Sequence, residues 1–138
     1  MQQIPLFDRP CLNVIKPLKI AMNTAVKESG LSRVQIVDKM NDLADRYGVH
    51  LASNGALKPE SFEKWINPND MSRQMPMKAL PVFCAVVRNY EALDVLARPL
   101  GASVIGPEER NLLKWARAYF KKRDAAKTMR RIETDLEV

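Results

Sequence analysis

Apolar residues recur along this chain at helical rather than strand spacing, and the runs are punctuated by proline and glycine. Leu18, Ala21, Met22, Ala25 and Val26 stand three and four residues apart and predict a helix over 17–28. Pro17 falls in its opening turn, where a missing N–H costs nothing, and Gly30 lies just past its end. Val34, Val37, Met40, Leu43 and Ala44 predict a second helix to about Tyr47, stopped by Gly48. Its start is the clearest local signal: the Ser32 hydroxyl is placed to accept the Gln35 N–H while Gln35 reaches back to the Ser32 backbone, and Leu31 is placed to staple against Ile36. Residues 48–57 contain the turn pair Asn54-Gly55 and predict a loop or short hairpin. Pro59 then opens a two-turn helix with Phe62, Trp65 and Ile66 inward, ended by Asn67-Pro68.

A fourth helix is expected over 76–88 with Leu80, Phe83, Cys84 and Val87 inward, its first turn either beginning at Leu80 or kinked at Pro81. A fifth is expected over 90–100 through Leu93, Leu96 and Ala97, followed by a short extended piece at 102–105. Residues 1–10, with two prolines and no periodicity, read as an arm or strap. Pro107-Glu108-Glu109 is a good first turn for a long last helix, with acids near the positive end of its dipole. Leu112, Trp115, Ala116, Tyr119 and Phe120 form a firm stripe there, after which only Ala125, Ala126, Met129 and Ile132 stand among charges, so the helix outruns its core. Trp65 and Trp115, both on apolar stripes, are expected in the core. The fold class is therefore all-α, a helical domain over 1–106 with a C-terminal helical extension over 107–138.

Composition narrows the function. A chain of 138 residues holds one core and an extension, and 46% hydrophobic with 28% charged residues is that of a folded protein. No apolar run is long enough to cross a bilayer, and Met1 to Asp8 lack the basic segment and apolar core of a secretory signal, so a cytoplasmic location is expected. Cys11 and Cys84 read as buried small hydrophobes rather than a disulfide. His50 stands alone, so no metal or cofactor is expected. Glu60 and Glu63 beside Lys64 look like helix-surface stabilisation, and no glycine-rich phosphate loop is present, so no enzyme activity is expected. The net charge is +6, and residues 107–138 hold nine basic and six acidic side chains, with the concentrated clusters at Lys121-Lys122-Arg123 and Arg130-Arg131. Those clusters either attract phosphate or form the wet side of a helix whose Tyr119, Ala126 and Met129 meet a second subunit.

Two of the predicted helices suggest a helix-turn-helix, in which one helix braces on the DNA backbone and the next enters the major groove. With 32–47 bracing and 59–66 entering, Lys58, Glu60, Ser61 and Lys64 point away from Phe62 and Trp65 and are candidate base and phosphate contacts. Arg33 and Gln35 flank helix amides suited to a phosphate, although Gln35 is fully explained as a cap and the lysines would be exposed in any case. Asn54, Asn67, Asn69 and Arg73 in the flanking loops are candidate backbone contacts, and Lys121 and Lys122 candidate non-specific ones. The pattern Gly30-Leu31-Ser32-x-x-Gln35-Ile36-Val37, then Phe62-x-x-Trp65-Ile66-Asn67, then Leu80-Pro81-x-Phe83-Cys84 resembles the lambda-repressor-like helix-turn-helix regulators of phages and prophages over most of residues 17–100. The resemblance implies a sequence-specific transcriptional regulator that binds double-stranded DNA, and a homodimer is expected because so short a recognition helix contacts little DNA alone while two-fold pairing doubles the interface. It matches Ser32, Arg33 and Gln35 to the family's phosphate-docking helix start, and Lys58, Glu60, Ser61 and Lys64 to the outward face of its recognition helix. The family's tight turn is replaced here by residues 48–57. The alternative is an interaction or assembly module on the same scaffold, with a protein partner on the C-terminal helix.

Overall fold

Local signals explain why each helix starts and stops where it does. In the computed structural model, which describes residues 11–137, α1 (Ile15–Glu28) places Pro17 third, among the first donors that have no acceptor within a helix; the ladder begins with Leu18 N–H donating to the Val14 carbonyl at 2.8 Å. Ser32 caps α2 (Arg33–Tyr47): its hydroxyl accepts Gln35 N–H at 3.1 Å, its own N–H donates to the Gln35 side chain at 2.9 Å, and Gly48 at φ +68° closes the far end. Only a residue free of Cβ strain sits easily in that left-handed cap. α3 (Pro59–Ile66) runs over the predicted two turns.

Proline also sets the limits of two predicted helices, the fourth taking the Leu80 start, one of its two expected forms. An α-helix begun at Met77 would need a donor at Pro81, which has none, so Met77–Ala79 is a 3-10 turn and α4 (Leu80–Val87) follows it. Likewise α5 (Glu91–Ala97) ends in a 3-10 turn over Arg98–Leu100 because Pro99 removes the next donor. Its inner face differs from the predicted one: Ala92 and Val95 are buried and Leu93 partly so, whereas Leu96 is exposed. In so short a helix two faces fit the apolar spacing, and packing on α1 goes with burial of the one that carries Ala92 and Val95. Residues 102–105 form no strand, and the Val104 N–H is tied to the Asp94 carboxylate at 2.9 Å.

These elements fall into two units, one ending at Val104 and the other running from Ile105. In the first, α1 packs on α3 and α5, and α2 on α3 and α4, around Met22, Ile36, Met40, Phe62, Ile66 and Phe83. Burying a large apolar side chain contributes about 1.5–3 kcal/mol, so this cluster dominates the fold's stability. The second unit is α6 (Pro107–Leu136), a 30-residue helix with no buried side chain. Trp115, expected in the core, is 64% exposed, because the unit has no second element for its stripe to pack against. Cys84 is buried as expected, its thiol pKa pushed up by desolvation, but Cys11 is exposed near the start of the described chain. The predicted arm at 1–10 lies outside the described residues. Among the described residues there are six α-helices and no β-sheet, only an isolated bridge between Ala52 and Gly55, and no helix is long and apolar enough to cross a membrane.

Candidate nucleic-acid interface

The connection from α2 to α3 is an ordered loop rather than a tight turn. Leu51 and Leu57 are buried at its two ends, and the Asn41 side chain on α2 holds its exit, accepting the Leu57 N–H at 2.8 Å and donating to the Leu57 carbonyl at 3.0 Å. Lys58 follows in extended conformation at the N-cap position of α3, its side chain making no capping bond, with Pro59 in the first position.

Beside that helix start lies an open groove of about 360 Å³. Four of the predicted contact residues line it together: Asn54 from the loop, Lys58 and Ser61 at the beginning of α3, and Arg73 from the segment after α3, with Trp65 contributing an apolar wall. Asn54, Lys58 and Arg73 are exposed and Ser61 half-buried. Glu60 and Lys64 are exposed on α3 but do not line the groove.

The remaining candidates have structural partners or stand elsewhere. Arg33 forms an ion pair with Glu63 on α3 and also donates to the Asn23 side chain at 3.3 Å. A partly exposed pair of this kind contributes at most about 1 kcal/mol, but it ties the start of α2 to α3 and gives the guanidinium a carboxylate that a phosphate would have to displace. Gln35 is engaged in the capping box. Asn67 caps a turn, accepting the Asn69 N–H at 2.9 Å. Lys121 and Lys122 are exposed on α6, in the other unit.

What brings Arg73 to the groove is a residue that pattern reading passed over. Lys19 on α1 is 1% exposed, and its ammonium donates to the carbonyls of Lys64 (2.7 Å), Asp70 (2.6 Å) and Arg73 (2.6 Å). One buried cation thus gathers the last turn of α3 and the loop after it. Desolvation lowers its pKa from the ordinary 10.5, opposed by the nearby Asp70 charge. The Asp70 carboxylate is itself held low, first by the Ser72 hydroxyl and backbone N–H and then by Lys19 and Lys64. The signal for Lys19 was its position: 19, 22 and 26 lie on one face of α1, so a lysine stands in line with two core residues. Asn41, in line with Val37 and Ala44, carries the same signal on α2.

No cluster of three or more His, Cys, Asp or Glu side chains able to hold a metal occurs among the described residues. Comparison with protein-family models, curated proteins and solved structures returns no match.

Proposed function

We propose that the first unit binds double-stranded DNA through the groove at the start of α3, and that the chain is a cytoplasmic, sequence-specific transcriptional regulator of the lambda-repressor-like kind found in phages and prophages. The observation that carries this reading is the convergence of Asn54, Lys58, Ser61 and Arg73 on one groove beside a helix amino end. Lysine and arginine neutralise phosphate, asparagine and serine make the shorter polar contacts, and helix amides add to the attraction. None of the salt bridges among the described residues engages Lys58, Lys64 or Arg73, so these cations need not break a pair to meet a phosphate. The resemblance of residues 17–100 to that regulator family supplies the transcriptional part of the reading.

Selection of duplexes from a random and a bacterial genomic pool, followed by fluorescence anisotropy over a salt series, tests it. Enrichment of a defined sequence is the expected result. Lys58→Ala and Arg73→Ala are each expected to weaken binding and to lower the slope of log K against log salt by about 1, as loss of one phosphate contact requires. A pool that shows no enrichment at low salt, or variants that bind as wild type does, would overturn the proposal.

A further inference from the structure

The large apolar side chains of α6 are all exposed, and their spacing continues beyond the firm part seen at Leu112 and Trp115. Alternating steps of three and four residues from Tyr119 reach Lys122, Ala126, Met129, Glu133 and Leu136, the a and d positions of a heptad seam. Two of the six are charged, opposite in sign, and placed at equal distances from the point midway between Ala126 and Met129.

From this symmetry we infer that α6 pairs with α6 of a second copy, antiparallel, in the register that sets Lys122 against the partner's Glu133. The same register sets Tyr119 against the partner's Leu136 and Ala126 against the partner's Met129, and the two-fold axis repeats each pairing. Every layer then matches large with small, apolar with apolar, or cation with anion. A parallel pair would instead stack lysine on lysine and glutamate on glutamate, at a cost to each. The occupant is a second copy because the seam is complementary to its own reverse. The two charged layers, related by the two-fold axis, set register and orientation at some expense in affinity.

The surface available predicts a weak dimer. Tyr119, Met129 and Leu136 on the seam and Ile132 beside it are 51%, 61%, 79% and 52% exposed. Side chains of this size together offer on the order of 500 Å² per copy, which places the pair at the low end of specific interfaces. Weak, concentration-dependent association follows. In this arrangement Lys122 belongs to the seam, while Lys121, one residue earlier, stays on the flank. The pairing does not depend on DNA binding by the first unit.

Sedimentation equilibrium of the full chain without DNA, over a wide concentration range, tests the inference through charge exchange. Wild type is expected to show a concentration-dependent dimer. Lys122→Glu and Glu133→Lys, each placing like charges across the seam, are expected to weaken it about tenfold or more. The double variant restores opposite charges and is expected to return to near the wild-type constant, which also shows that neither change acts by unfolding the helix. A chain that stays monomeric throughout, single variants that associate as wild type does, or a double variant as weak as the singles would each overturn it.

Discussion

Replacing Lys19 by methionine keeps an unbranched apolar stem in the core and removes the ammonium at its end. The three carbonyls it holds lose a charged donor at 2.6–2.7 Å. Hydrogen bonds to a charged group contribute about 1.5–3 kcal/mol each, so the gross loss is roughly 5–9 kcal/mol. Two terms reduce it. Taking an ammonium out of water costs several kcal/mol that methionine avoids, and exposed neighbours allow the Asp70 and Arg73 carbonyls to turn to water, whereas that of Lys64 sits in the last turn of α3. A net destabilisation of about 2–4 kcal/mol is expected, or roughly 10–20 °C in melting temperature for a unit of this size. Circular dichroism melts measure it, and amide exchange locates it: residues 67–73 should lose protection first. The pH dependence carries a sign of its own. Because the folded-state pKa of Lys19 lies below the ordinary 10.5, the unfolded chain holds this proton more tightly, and stability from this group rises with pH between the folded value and 10.5. Lys19→Met should remove that rise. A variant within about 0.5 kcal/mol of wild type, with unchanged exchange at 67–73, would refute the assignment of Lys19 as the tie that shapes the groove.

Two further outcomes follow from the same geometry. Asn41→Ala leaves both the N–H and the carbonyl of Leu57 without their partner and is expected to cost about 1–3 kcal/mol in urea unfolding, and also to weaken duplex binding by loosening the entrance to α3 at Lys58. Asp94 is held below the ordinary 3.8 chiefly by the Val104 N–H and secondarily by Arg98, so its contribution is complete above 3.8 and is lost as pH falls through the lower folded value; Asp94→Asn should flatten that acid limb in a pH series of melts.

The parts of this fold that were legible in the sequence are those decided within a few residues. The Ser32–Gln35 capping box, the Gly48 stop and the Pro59 start depend on chemistry at neighbouring positions, and α2 and α3 begin and end where those signals place them. The face of α5 was not legible, because two turns give two equally apolar faces and only contact with α1 separates them. The exposure of Trp115 was not legible for a related reason: a stripe shows that a surface wants cover, not whether the same chain supplies it. At the site, Lys58 and Ser61 could be read from the helix they begin. The meeting of Asn54 with Arg73 could not, because Arg73 stands more than fifty residues from Lys19, whose ammonium decides where the Arg73 backbone lies.

That dependence also explains why the groove is built from unpaired cations while Arg33, in the position the resemblance favours for phosphate, is not. Glu63 and Asn23 neutralise and anchor Arg33 at the packed junction of α1, α2 and α3, where a free guanidinium would leave a charge partly out of water with nothing to meet it. Arg73 sits on an exposed loop, where its charge remains hydrated and needs no protein partner. The backbone beneath it does need one, since three carbonyls converge there, and Lys19 supplies that charge from inside. Buried cation and exposed cation thus differ in place within one loop: Lys19 determines where the loop lies, and Arg73 leaves a positive charge on the groove wall. Moving either charge to the other's position would leave the loop unheld or the groove with Lys58 as its one cation.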